Sequence, residues 1–88
     1  MEERRFVIKN RLGLHARAAG LLVRTANKYR ADITIEKDGM AANAKSIMGV
    51  MMLAAAVGSE VRIKAEGADA GKAVRAIGRL IDRKFGEE

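Results

Sequence analysis

From Arg5 to Lys9 the chain alternates, with Phe6 and Ile8 on one side and Arg5, Val7 and Lys9 on the other, which predicts a first strand. Asn10 to Leu14 breaks the alternation and reads as a loop. The period then changes. From Ala16 to about Tyr29, Ala19, Leu22, Val23, Ala26 and Tyr29 recur at helical spacing and form a core-facing stripe. Arg17, Gly20, Leu21, Arg24 and Lys28 fall on the opposite side, a basic strip with one apolar member. Asp32 to Lys37 alternates around Ile33 and Ile35, and Asp38-Gly39 is a hairpin signal leading into a short strand near Met40 to Asn43. Ser46 is a favoured N-cap for a short helix from Ile47 to about Ala54. Gly58-Ser59 reads as a turn, after which Val61, Ile63 and Ala65 mark another strand. Asp69 is placed to cap a last helix whose apolar face is Ala70, Ala73, Val74, Ile77, Leu80 and Ile81.

The order is βαββαβα, without linker, repeat or low-complexity stretch. It predicts an α+β open-faced β-sandwich, with three helices over one face of a four-stranded antiparallel sheet, as one domain over residues 1–88. That length leaves no room for separate catalytic and substrate domains.

Composition narrows the chemistry. Cysteine is absent and there is one histidine, which removes disulfides, thiolate nucleophiles and Cys-ligated zinc and leaves little for a metal site, so no metal and no cofactor is expected. The longest apolar run, Ile47 to Val57, is short of the roughly 20 residues needed to span a bilayer, and the N-terminus leads into no signal core. A soluble cytoplasmic protein without membrane insertion is expected. The net charge of +6 favours acidic partners without choosing among nucleic acid, membrane surface and protein.

The single histidine, His15, stands in Gly13-Leu14-His15-Ala16-Arg17, where the loop gives way to the first helix. A helix start offers backbone N–H groups without intrahelical partners and a partial positive charge. An imidazole there, with Arg17 close by, is a candidate phosphate carrier, because a neutral ring keeps a nucleophilic nitrogen near neutral pH. A polar cap or solvated surface residue is the plainer alternative.

The segment after Ser46, Ile47-Met48-Gly49-Val50-Met51-Met52-Leu53, has no polar face, and a domain this small must expose part of it. Unbranched Met suits partners of different shape, although each Met could equally fill a core gap. Ser46 is either a plain N-cap or a phosphorylation site whose added charge would weaken docking of an acidic partner.

Taken together, Gly13-Leu14-His15-Ala16-Arg17 and Lys45-Ser46-Ile47-Met48-Gly49-Val50-Met51 resemble the HPr family, the histidine-containing phosphocarriers of the bacterial phosphotransferase system. The resemblance runs over essentially the whole chain, through the closing Gly67-Ala68-Asp69. It implies that His15 accepts phosphate from enzyme I and passes it to sugar-specific IIA domains, and that Arg17 neutralises the phosphate. It implies a docking surface on the first two helices, for which Gly20, Leu21, Arg24, Ile47, Met48 and Met51 are the candidates. It further implies that Ser46 is a regulatory site for an HPr kinase/phosphorylase, with a catabolite control regulator as a further partner, and that catalysis belongs to those partners.

Two features depart from the family pattern. Position 18 is Ala18 where the family usually continues with proline, a helix-compatible change. The strongly basic balance, concentrated in the last-helix stripe Lys72, Arg75, Arg79 and Arg83, is expected to lie away from the docking face. Two other readings remain: a regulatory module acting mainly through Ser46, and a nucleic-acid-binding domain using that basic stripe. Charge alone supports the latter, so nucleic acid is disfavoured as a partner.

Overall fold

The computed structural model describes residues 1–87. Strands β1 (Glu2–Val7), β2 (Asp32–Lys37), β3 (Met40–Asn43) and β4 (Glu60–Glu66) form one antiparallel sheet in the order β1-β4-β2-β3. Helices α1 (Ala16–Ala26), α2 (Ile47–Met52) and α3 (Ala70–Asp82) cover one face. The predicted order βαββαβα is the observed one, followed by a single 3-10 turn, Lys84–Gly86, that the hydrophobic pattern does not announce.

The alternating residues of the central strands divide between the two faces. Ile33, Ile35, Val61, Ile63 and Ala65 point under the helices and are buried. On the open face Arg62 bridges three strands, reaching Glu3 at 3.4 Å and Glu36 at 3.1 Å. The β2–β3 hairpin turns on Asp38 and Gly39, both with positive φ (51° and 82°), as an Asp-Gly turn requires.

Several boundaries differ from the sequence reading. Strand β1 begins at Glu2 rather than Arg5, because Glu2 to Val7 all pair with β4 along a sheet edge whose exposed residues carry no burial signal. It ends before Ile8, which leaves the ladder to exchange backbone hydrogen bonds with Gly58 and Ser59. Helix α1 stops at Ala26 rather than Tyr29, since Asn27 folds its side-chain amide back onto the Val23 carbonyl. Helix α2 stops at Met52: Leu53 and Ala54 donate to the Val50 and Met51 carbonyls in a tightened turn, and Ala54 has φ +50°. Asp69 occupies the N-cap position of α3 but does not cap it. Its carboxylate instead accepts from the backbone N–H groups of Arg30 and Ala31, both at 2.9 Å, tying the start of α3 to the entry of β2.

The chain's last turn is locked into the core. Lys84 and Phe85 both adopt left-handed backbone (φ 57° and 55°), which costs roughly 1–2 kcal/mol per residue. Phe85 is 1% exposed, and burying its ring contributes about 2–3 kcal/mol in the other direction. The 3-10 turn thereby directs the residues after α3 back across the molecule.

Candidate functional site

Residues 8 to 14 form a strap pinned at several points. Leu14 donates its N–H to the Ala55 carbonyl at 2.9 Å, and Gly13 bonds back to Asn10 at 3.1 Å. Gly13 has φ +68°, and a Cβ there would lie 2.5 Å from the Ala55 oxygen, so only glycine permits this close approach. The strap delivers His15 to the N-cap position of α1 with extended backbone (φ −73°, ψ 178°). The ring does not cap the helix.

Instead, His15 Nε2 is hydrogen-bonded to the Glu87 carboxylate. The other carboxylate oxygen of Glu87 accepts from Asn10 Nδ2 at 3.2 Å. The Asn10 side chain is completely buried and also donates to the Gly13 carbonyl at 2.7 Å, while its Oδ1 has no partner among the described residues. The hydrogen bond with His15 holds the Glu87 carboxyl below the usual carboxylate range against partial desolvation, helped by Asn10 and by the nearby charge of Arg17. An ionised carboxylate only accepts, so the proton of this bond resides on Nε2.

The first-turn backbone N–H groups of Ala16, Arg17 and Ala18 have no acceptor among the described residues. Arg17 is exposed and forms no ion pair among them. A half-buried imidazole, an unpaired guanidinium and free helix donors together suit a transiently bound oxyanion.

A family model described as "PTS HPr component phosphorylation site" matches residues 2–83. The chain belongs to the HPr family. It is 42% identical over 88 residues to phosphocarrier protein HPr of Xylella fastidiosa (strain 9a5c), covering 100% of this chain and 99% of that one. The corresponding protein of Treponema pallidum (strain Nichols) is 47% identical over 81 residues, 92% of each chain. The crystal structure of HPr-C-His from Thermoanaerobacter tengcongensis matches with a TM-score of 0.97 at 50% identity, covering 100% of this chain and 99% of that one.

In this HPr-family chain His15 and Arg17 share the N-terminal turn of α1, and Gly20, Leu21 and Arg24 continue along its outer side, half-buried or exposed. Ile47, Met48 and Met51 are exposed on α2 (46%, 71% and 39%), as is Met52, whereas Val50 is fully buried and anchors the helix. Ser46 caps α2, its Oγ accepting from Gly49 N–H at 3.1 Å. Ser46 is not beside His15. Helix α2 runs antiparallel to α1, with Lys45 bonded to Tyr29 beyond the end of α1 and Ala55 bonded to Leu14 before its start.

The basic last helix is tied through its C-terminal end to the strap that leads to His15. Lys72, Arg75, Arg79 and Arg83 are exposed, but the C-terminal end of α3 is joined to the strap by the 3.2 Å Lys9–Asp82 pair. From there the 3-10 turn brings Glu87 onto His15. Sequence reasoning missed Asn10 and Glu87. Glu87 lies 72 positions from His15, and no local period links them.

Proposed function

We propose that this chain relays a phosphoryl group from phospho-enzyme I to sugar-specific IIA domains through His15. The carrying observation is the ring's setting: Nε2 is engaged by Glu87, while Arg17 and the free N–H groups of the first turn of α1 lie close by. In this reading Nδ1 is the nucleophile. Its lone pair forms the N–P bond as the donor's bond to phosphorus breaks and that electron pair leaves with the donor. Arg17 and the first-turn N–H groups neutralise the phosphoryl oxygens. The reverse displacement hands the group on. Nothing in the chain needs to catalyse the step alone; enzyme I and the IIA domain supply the remaining groups, and the cytoplasm is the compartment in which they meet.

Docking is assigned to the exposed apolar face Ile47, Met48 and Met51 together with Gly20, Leu21 and Arg24. A patch of Met and Ile beside cationic α1 residues fits acidic partners with an apolar centre. Ser46 is the regulatory position, open to an HPr kinase/phosphorylase and, once phosphorylated, to a catabolite control regulator. A phosphate there adds negative charge at one border of the docking face.

Incubation with enzyme I and labelled phosphoenolpyruvate tests the relay. Acid-labile label should enter the wild type and be absent from a folded His15→Ala variant. Equal labelling of both, or none of the wild type, overturns this reading.

A further inference from the structure

We propose that Glu87, held in place by Asn10, is a positioning residue that keeps the proton on His15 Nε2, directs Nδ1 to the phosphoryl group and maintains phospho-His15 in a readily transferred form. The proposal rests on His15 being the phosphoryl acceptor and extends it to residues outside the two helices.

Three observations carry it. First, the carboxylate grips both sides of the site: one oxygen meets His15 Nε2 and the other meets the amide of the fully buried Asn10. Second, Asn10 is itself fixed, donating to the Gly13 carbonyl in the strap that sets the His15 backbone. Third, Glu87 is no loose end, because Phe85, two residues before it in sequence, is 1% exposed and anchors the turn. A carboxylate behind an imidazole, itself oriented by a further group, is the arrangement that fixes tautomer and stabilises an imidazolium in nucleophilic sites.

The bond changes make the role explicit. When Nδ1 attacks, the N–P bond forms, the donor's bond to phosphorus breaks, and the Nε2 proton stays where it is. The ring therefore becomes a phospho-imidazolium, with its positive charge facing the Glu87 carboxylate. When the phosphoryl group departs, the electron pair of the N–P bond returns to Nδ1 and leaves a neutral ring. Without Glu87 no described residue holds the Nε2 proton on the ring, and a ring that loses it would have to leave as an imidazolide, a far poorer leaving group. The two charges do not compete for one place: the carboxylate sits at Nε2, whereas the phosphoryl oxygens at Nδ1 fall to Arg17 and the first-turn N–H groups.

The test uses potassium phosphoramidate, a small phosphoryl donor that needs no partner protein, with wild type, Glu87→Ala and Glu87→Gln. Ring 15N–1H spectra should show a protected Nε2 proton in the wild type that is lost in Glu87→Ala. Labelling of His15 at neutral pH and hydrolysis of the phosphorylated protein should both slow by about three- to tenfold in Glu87→Ala, the size expected for one charge-assisted hydrogen bond. Glu87→Gln retains an acceptor without the charge, so it should keep part of the proton protection while its hydrolysis slows nearly as much. Rates that match the wild type in both variants overturn the proposal, even if the proton signal is lost, because Glu87 would then be only a structural tie. Failure of enzyme I to label wild-type protein overturns the relay instead, and the phosphoramidate comparison would still decide the role of Glu87.

Discussion

Lys45 Nζ donates to the Tyr29 carbonyl oxygen at 2.8 Å, fastening the residue before Ser46 to the chain just beyond the C-terminal end of α1. His15 lies at the other end of that helix. With 11 residues, α1 separates the two positions by about 16 Å along its axis. A charge at Ser46 thus has no direct route to the His15 ring and must act on whatever partner spans both.

Ser46→Asp should accordingly raise the KM of enzyme I for this chain by about three- to tenfold while changing kcat by less than about twofold. Aspartate is as good an N-cap as serine, so the fold should be unaffected. Labelling by phosphoramidate, which needs no docking, should be unchanged. Steady-state kinetics with both donors check this, and a fall confined to kcat would contradict it.

Replacing Met48 and Met51 together with Lys should weaken enzyme I binding by at least about 1 kcal/mol, since a desolvated apolar contact becomes two hydrated cations. Both side chains are already exposed, so thermal stability should hardly move. Calorimetric titration beside a melting curve separates the two effects; an unchanged dissociation constant removes these residues from the docking face.

Gly13→Ala tests how the strap positions His15. The new Cβ meets the Ala55 carbonyl oxygen at 2.5 Å with the backbone at φ +68°, a combination expected to cost at least about 2 kcal/mol. Because Leu14 and Asn10 share this strap, His15 should shift away from Glu87 as well. Urea unfolding should show the loss, and the phosphoramidate rate should fall in the protein that remains folded.

The elements with strict periodicity were legible from residue types alone: β2, β4 and α3 carry their buried stripes where alternation or helical spacing places them, while β3, which buries no residue fully, was legible only from the Asp38-Gly39 turn before it. Ser46 was legible as a cap because its partner, Gly49, is three residues away. The misread features are non-local. Asp69 has the sequence position of a cap, yet its acceptors are satisfied by Arg30 and Ala31, 39 and 38 residues distant. Lys84 and Phe85 adopt left-handed backbone that no pattern of apolar residues signals, and Glu87 depends on Phe85 to arrive at His15. His15, the proposed nucleophile, was readable because it lies in a local motif. Its supports were not, because topology assembles them.

Asp69 also makes a pH-dependent contribution to stability. The backbone N–H of Arg30 is the largest influence holding its carboxyl below the ordinary value, with Ala31 assisting against desolvation. A carboxyl lowered in the folded state stabilises above its unfolded pKa of about 3.9, and that stabilisation is lost as pH falls through the folded value. Asp69→Asn should therefore melt at a lower temperature than wild type at about pH 6, and the difference should shrink by about pH 2.5. The Glu87 carboxyl is the same in both proteins, so their difference isolates Asp69. A gap that is constant with pH would contradict the linkage.

Ala18 occupies the third position of α1, where the resemblance to the HPr family leads proline to be expected. Its N–H has no acceptor among the described residues, and it sits in the same turn as Arg17. Alanine therefore adds a donor that proline lacks, facing the end of the helix where the phosphoryl group would reside. The side chain is fully buried, but proline is accepted in a first helical turn and no existing hydrogen bond would be lost. Ala18→Pro should consequently fold with nearly unchanged stability. Its phospho-His15 should differ in hydrolysis rate by about two- to fivefold, the scale of one neutral hydrogen bond to an anion. The comparison is made on both phosphorylated proteins at several pH values, with Glu87 intact so that the Nε2 side of the ring is the same. Coincident rates throughout would mean that the Ala18 N–H does not reach the phosphoryl group and that the site uses Arg17 and the remaining first-turn donors alone.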